Sequence, residues 1–335
     1  MKLILDCFGG DKGCVPCVEA AKQAVKDHPD LTFVLVGDEA QIRAELTEES
    51  ARFEILHAPD TVTGNDRPTD AIRLKRESSM IKAVKLLRED ESADGLISVG
   101  PTGVLIAAAT LRIGRIDGVR RPAFCPILPT MNGGVVGICD SGANVECTPD
   151  MLLQFAIMGS EYLKAAFGVA APRVALLNVG TEEEKGDDLH REAYRLLKAT
   201  PGVNFLGNME SRDLLSGKYD LVVCDGFSGN VLVKSTEGTA LELLKKLKRD
   251  IYSRWIYKLG ALLMKKMFDE EKRFMNYQNY GGSVLLGTEK IIIKGHGSSD
   301  ATAVRRCIEQ ALTMSGGNLN ENIQQQLKSE EFANV

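Results

Sequence analysis

Residues 1–37 read MKLILDCFGGDKGCVPCVEAAKQAVKDHPDLTFVLVG, and three pieces of this stretch decide the architecture. An apolar run at 3–5 is followed by an amphipathic stretch at 15–27 and by a second apolar run at 33–36 that ends in Gly37. Apolar runs this short, separated by a helix-period stretch, spell a βαβ unit. The pattern then repeats. Strand-like runs at 53–56, 95–99, 123–128, 135–139, 173–178, 221–224 and 290–293 end near glycine or a polar turn, and most feed a helix. Residues 70–89 read as helical with a break near Ser78-Ser79, where a serine caps a second helix. Crossover helices cover both faces of a sheet built this way, so the expected fold is α/β, a three-layer α/β/α sandwich around a largely parallel, doubly wound sheet. There is no internal repeat.

The 335 residues leave room for one large α/β body or two smaller ones. With 41 Lys+Arg against 46 Asp+Glu, 44% apolar and 26% charged residues, the composition excludes a disordered or collagen-like chain and a global nucleic-acid-binding charge. Eight cysteines lie mostly inside apolar runs rather than at the spacing of a secreted framework, so reduced thiols and a cytoplasmic location are expected. The start meets Asp6 at once, without a long apolar core, and reads as a strand rather than a signal peptide. No stretch approaches the roughly 18 apolar residues of a spanning helix. The Cys14-Val15-Pro16-Cys17 pair resembles half a zinc or redox motif but has no second ligand pair, and it is read as structural, with no metal and no cofactor expected.

In such sheets ligands sit beyond the carboxyl ends of the strands. Four loops there run through small and polar residues into a helix: Ser98-Val99-Gly100-Pro101-Thr102-Gly103, Asp140-Ser141-Gly142-Ala143-Asn144, Asp225-Gly226-Phe227-Ser228-Gly229-Asn230, and Gly295-His296-Gly297-Ser298-Ser299-Asp300. Each alone is an ordinary turn; together they point to an anion site. Neither a P-loop nor a dinucleotide fingerprint is present.

The order and spacing of seven motifs over residues 1–312 resemble the PlsX family of phosphate acyltransferases. They are Leu128-Pro129-Thr130; Asp140 with Gly142-Ala143-Asn144; the 153–160 run LQFAIMGS; Leu177-Asn178 with Gly180 and 182–186; Asp225-Gly226-Phe227 with Gly229-Asn230; Tyr280-Gly281-Gly282; and His296-Gly297-Ser298-Ser299. The resemblance implies reversible transfer of a long-chain fatty acyl group from acyl-[acyl carrier protein] to inorganic phosphate, giving acyl-phosphate for phospholipid synthesis. It also implies a fold similar to phosphotransacetylases and isopropylmalate dehydrogenases, a homodimer, and peripheral contact with the cytoplasmic membrane. Where the family has Gly-Asn-Thr-Gly, this chain has Gly100-Pro101-Thr102-Gly103, which removes one side-chain amide and one N–H donor.

Phosphate attack on a thioester places charge on the carbonyl oxygen while a dianion approaches, so such a site needs cations and N–H donors rather than a protein nucleophile. Lys185, beside Glu182, Glu183, Glu184, Asp187 and Asp188, fits as a cation held charged by five acids, although the same run reads as a solvated helix start. The resemblance favours Lys185. Asn230, at a helix head after a glycine turn, is the second catalytic candidate, its alternative being an ordinary cap. Gly100, Thr102, Gly103, Asn144, Asp225, Gly229, His296 and Ser298 are expected to shape the phosphate and thioester sites, with Asp225 ordering its loop and His296 either donating to phosphate or fixing a turn. None of the cysteines lies in an obvious Cys–His arrangement, which favours direct transfer.

Residues 245–266 carry eight Lys/Arg and one acid in a chain of formal net charge −5. Trp255, Leu259, Leu262 and Leu263 recur there at helical spacing, making a basic amphipathic segment suited to a membrane surface or a dimer mate. This surface, or the cluster Arg73, Lys75, Arg76 and Lys82, also suits an acidic carrier protein. The expected organisation is one α/β/α domain at 1–315, with 245–277 projecting from it, and a polar, loosely held helix and tail at 316–335. Two rival functions remain: a phosphotransacetylase acting on short acyl-coenzyme A, and a catalytically silent membrane-docking scaffold.

Overall fold

The chain opens as β1 (Lys2–Asp6), α1 (Val15–Asp27) and β2 (Thr32–Gly37), the unit its first 37 residues predict. β1 and β2 pair in parallel, from Lys2 opposite Thr32 to Asp6 opposite Val36. The computed structural model describes residues 1–46, 51–274 and 280–328. Next comes α2 (Glu39–Glu45), which the apolar pattern does not mark; the Asp38 carboxylate caps it by accepting from the Gln41 amide. β3 (Phe53–His57), α3 (Pro68–Leu74), α4 (Ser79–Glu89), β4 (Ala93–Ser98) and α5 (Thr102–Arg112) follow. The break between α3 and α4 falls where expected, but Ser78 does not cap α4, because its hydroxyl donates to the Lys75 carbonyl.

The run expected as one strand at 123–128 divides in two. β5 (Ala123–Cys125) and β6 (Ile127–Pro129) flank Pro126, which has no N–H to continue a ladder, and they join different sheets. The chain continues through β7 (Val135–Cys139), α6 (Pro149–Phe167), β8 (Val174–Leu177), α7 (Asp188–Ala199), β9 (Phe205–Met209) and β10 (Leu221–Val223). It ends with α8 (Gly226–Ser253), α9 (Trp255–Leu263), α10 (Lys265–Phe274), β11 (Ser283–Leu286), β12 (Ile291–Lys294), α11 (Ala301–Gly316) and α12 (Leu319–Lys328).

One sheet has the order β3-β2-β1-β4-β12-β11-β5 and the other β6-β7-β10-β8-β9. β11 is antiparallel to both its neighbours, and β6 to β7; the remaining pairs are parallel. The fold is thus the mostly parallel, helix-covered sandwich expected, with its strands shared between two sheets. Alternation along β1 shows the layers. Leu3 and Leu5 enter an apolar cluster with α1, α6 and α11, whereas Ile4 enters another with α4 and α5. The first cluster runs on into the second sheet through Ile127, Leu176, Leu221 and Val223. Phe155 and Tyr162 of α6 are fully buried in it, and truncating Phe155 to alanine there costs about 3–5 kcal/mol.

Two parts differ from the sequence reading. The boundary expected at 315 falls at the end of α11, and α12 is held on the body rather than loosely: Leu319 and Ile323, one turn apart, are buried against the main cluster as α12 packs on α6. Residues 329–335 of the expected tail lie outside the described residues. The segment expected at 245–277 is also longer and jointed, because α8 starts at Gly226 and breaks at Arg254 and Met264 separate α9 and α10. Residues 275–277 lie outside the described residues.

Candidate active site

A cleft of about 460 Å³ opens beyond the carboxyl ends of β1, β4 and β12. Its opposite wall is formed by residues on either side of Pro126 and by one face of α8. All four loops marked in the sequence reach it, the 140–144 loop through Ser141.

On the first wall, the carboxylate of buried Asp6 ends β1. Its Oδ2 accepts from Ser98 Oγ at 2.6 Å, and that hydroxyl accepts from the Gly100 amide at 3.1 Å. A Cβ on Gly9 would lie 2.4 Å from Gly100 Cα, so these two loops touch backbone to backbone and admit no side chain. The Asp11 amide donates to the Gly297 carbonyl at 2.8 Å, fastening the β1 loop to the β12 loop. Pro101 occupies the N-cap of α5, and Thr102 lines the cleft. Gly103 instead faces Pro68 of α3.

His296 lines the cleft at the head of the β12 loop. Its Nδ1 lies 3.2 Å from the Ser298 amide and 2.8 Å from Ser298 Oγ. An amide can only donate, so Nδ1 is the acceptor and Nε2 carries the proton. Burial holds this ring below the usual imidazole range, nearby Lys294 adds to that, and Asp11 opposes it. His296 therefore fixes a turn, one of the two roles expected for it, with the ring proton on Nε2. Ser298 holds the turn and does not line the cleft.

On the facing wall, Asp225 caps α8 by accepting from the Ser228 amide at 2.9 Å, the ordering role expected of it. The first turn of α8 presses on the loop after β7. A Cβ on Gly229 would lie 1.9 Å from the Asp140 carbonyl oxygen, and one on Gly226 2.6 Å from the Asn144 carbonyl oxygen. Gly229 is thus required for contact between backbones. Buried Asp140 gathers that loop, its carboxylate accepting from the amides of Phe124, Ala143 and Asn144. The Asn144 side chain donates to the Pro122 carbonyl at 2.8 Å and to Asp140 at 3.0 Å, so it holds the loop and does not line the cleft.

This packing aims Asn230 at the cleft, followed by Val233, Lys234 and Glu237 at helical spacing on the same face of α8. Burial pushes the Glu237 carboxyl up, against the pull of Lys234. Lys294, the last residue of β12, also faces the cleft. Burial draws its ammonium down to about 8, while Cys307, Asp6 and Asp11 act the other way. The sequence reading missed Lys234, Glu237 and Lys294. The signals were there: positions three, four and seven beyond Asn230 for α8, and a lysine directly before Gly295-His296-Gly297.

Lys185 lies in the loop after β8, which runs parallel beside β10, so its loop neighbours the one bearing Asn230. It does not line the cleft. The Lys185 side chain is exposed, lying against Gly180, and the expected ring of acids does not form. Glu183 pairs with Lys198 at 2.7 Å, Asp187 with His190 at 2.6 Å, and Asp188 with Arg191. Sequence proximity placed these acids beside Lys185; the turn into α7 gives them other partners.

Cys14 and Cys17 are buried in the main apolar cluster. Burial raises the thiol of Cys307, which lines the cleft, to about 12, and it also pushes Cys139 and Cys224 well above the usual range. Away from the cleft, Trp255, Leu259, Leu262 and Leu263 all lie on α9 with their side chains exposed, Trp255 by 76% and Leu263 by 82%. Among the described residues no helix is long and apolar enough to cross a membrane.

A family model described as "Fatty acid synthesis protein" matches residues 1–322. The chain is 46% identical over 330 residues to the phosphate acyltransferase of Halalkalibacterium halodurans, covering 98% of this chain and 96% of that one. It is 42% identical over 331 residues to the phosphate acyltransferase of Bacillus subtilis, covering 99% of each. Among solved structures it is similar to a phosphotransacetylase from Streptococcus pyogenes, with TM-score 0.61, 17% identity and 94% of each chain covered. A branched-chain phosphotransacylase from Enterococcus faecalis gives TM-score 0.55 at 14% identity, covering 94% of this chain and 100% of that one. At such identities the structural likeness speaks for the fold alone.

Proposed function

The chain belongs to the PlsX family of phosphate acyltransferases, and from that premise we propose that it moves a long-chain fatty acyl group from acyl-[acyl carrier protein] to inorganic phosphate, reversibly, supplying acyl-phosphate for phospholipid synthesis. The observation that carries this reading is the cleft itself. It joins the Asn230 amide, two lysines and a neutral His296 on walls whose thiol is held protonated. A thiol raised to about 12 is a poor nucleophile at neutral pH, which favours attack by phosphate itself.

In this reading a phosphate oxygen bonds to the thioester carbonyl carbon, the C–S bond breaks, and the departing thiolate takes up a proton to become the carrier's thiol. Asn230 donates to the oxygen that becomes negative as the tetrahedral centre forms. Lys185, from the neighbouring loop, supplies positive charge to the same centre. Gly100, Thr102 and His296 shape the bound phosphate and acyl groups, while Gly103, Asn144, Asp225, Gly229 and Ser298 hold the loops in register.

We extend the proposal to a homodimer that contacts the cytoplasmic face of the membrane peripherally. The arm of α8, α9 and α10 supports this. It exposes Leu241, Leu243 and Leu247 along α8 and the Trp255, Leu259, Leu262 and Leu263 set on α9, with basic residues between them.

The test is to incubate the purified chain with palmitoyl-carrier protein and phosphate and trap acyl-phosphate with hydroxylamine. Phosphate-dependent hydroxamate is expected. If product forms only from short acyl-coenzyme A, the donor assignment is wrong; if none forms from any thioester, with or without vesicles, the enzymatic reading falls.

A further inference from the structure

The family assignment does not say which group in the cleft holds phosphate, and the arrangement around β12 supplies an answer. Lys294 ends β12, an interior strand of the first sheet parallel to β4 and antiparallel to β11, and its ammonium points into the cleft, where it donates to the Gly295 carbonyl. An ammonium has three protons to donate, so two remain for a ligand. It forms no ion pair among the described residues. Asp6, the carboxylate at the end of β1, bonds Ser98 through Oδ2; its buried Oδ1 has no hydrogen-bond partner among the described residues, and it acts on Lys294 through space without a direct contact. A half-buried cation that faces a cleft and has no carboxylate in hydrogen-bond contact among the described residues is stabilised by an anion that enters with the substrate.

We infer that Lys294 is the cation of the phosphate subsite, holding the phosphate dianion across the cleft from the Asn230 amide. This rests on the acyl-transfer reading for its consequence in turnover, but the binding of phosphate can be measured without it.

The inference carries a pH signature. With its ammonium drawn down to about 8, the empty site loses its charge just above neutral pH, whereas phosphate becomes mainly dianionic above about pH 7. Phosphate affinity therefore rises into the neutral range and falls as pH passes through the Lys294 value. The charged and titratable groups facing Lys294 are Asp6 of β1, Asp11 of the following loop, His296 and Cys307 of α11, with Lys234 and Glu237 across the cleft on α8. His296, held low, is neutral over the alkaline range, and Cys307, raised to about 12, stays a thiol.

The experiment uses the full chain and inorganic phosphate as the probe. Wild type, Lys294→Gln and Lys294→Arg are melted with and without phosphate at constant ionic strength, at pH 7 and pH 9.5, and phosphate KM is measured by hydroxamate trapping. Losing a charge-assisted contact raises phosphate KM about 10- to 100-fold in Lys294→Gln, with acyl-donor KM within about threefold of wild type. Phosphate stabilises wild type at pH 7 and much less at pH 9.5, stabilises Lys294→Arg at both, and stabilises Lys294→Gln at neither beyond the general effect of the salt. Wild-type phosphate KM or stabilisation in Lys294→Gln overturns the inference, as does a wild-type alkaline fall in Lys294→Arg. Should the glutamine variant not fold, the arginine variant decides through its pH dependence. If wild type makes no acyl-phosphate, the functional reading fails while the phosphate-dependent melts still decide the role of Lys294.

Discussion

The side-chain amide of Asn230 rests over Gly142, so close that a Cβ on Gly142 would lie 3.1 Å from Asn230 Nδ2. Gly142 also sits at φ +133°, a conformation side chains rarely adopt. Two substitutions follow. Asn230→Ala should lower kcat about 100- to 1000-fold with little change in melting temperature. Gly142→Ala should displace the amide and strain its loop, lowering kcat about tenfold and stability by about 1–3 kcal/mol. Hydroxamate kinetics beside thermal melts check both, and an Asn230→Ala enzyme with full turnover removes Asn230 from the chemistry.

Lys185 is exposed and free of ion pairs among the described residues, so its removal should not touch the fold. Lys185→Ala is expected to keep the wild-type melting temperature to within about 0.5 kcal/mol of stability and to lose turnover about 100-fold. Unchanged turnover would return Lys185 to the solvated helix start its sequence also describes.

The α9 surface gives a prediction independent of catalysis. Trp255→Ala combined with Leu263→Asp should reduce binding to vesicles rich in anionic lipid about tenfold or more, because apolar area is withdrawn and an acid added. Acyl transfer in solution should persist. Cosedimentation with vesicles measures the first and hydroxamate trapping the second; wild-type vesicle binding would assign this face to the partner subunit instead.

Acid stability has a local determinant at the start of β1. Lys2 donates to Asp90 at 2.8 Å, joining β1 to the turn before β4, and that hydrogen bond holds the Asp90 carboxyl down at about 2. A carboxylate depressed in the folded state contributes stability above its unfolded value of 3.8, and the contribution is lost as pH falls toward about 2. Asp90→Asn should therefore cost about 1 kcal/mol at pH 7, a cost that shrinks as pH falls below the unfolded value and vanishes only once pH has passed below about 2, which denaturant melts across this range would detect.

The fold was legible where apolar period alone decides, as in residues 3–5, 15–27 and 33–36. It was less so where one residue overrides the pattern: Pro126 sits in a run apolar enough to read as a single strand, and its missing N–H turns that run into two strands of different sheets. The loops around Gly100, Asn230 and His296 were legible because close backbone approach and helix starts demand glycine and small polar residues. Lys294 stood in plain view directly before one of these loops, but its burial, which comes from β1 and α11, elements distant in sequence, was not legible. The acids near Lys185 misled for the opposite reason, adjacency in the chain being no guide to which cation each one meets. In α12, two apolar residues one turn apart anchor a segment whose average composition is polar.

The position of β12 between β4 and β11 bears on how the chain is made. A nascent chain emerging in order can assemble all five strands of the second sheet once residue 223 is free. The first sheet has its outer four strands early, yet the edge of β4, with Leu96 and Ile97, waits for residues 291–294. Until then it is an unpaired, apolar edge of the kind that invites association with other chains. The later-encoded sheet is thus free to close first, and the wall of the cleft that bears Lys294 and His296 is completed only after residues 291–296 have emerged.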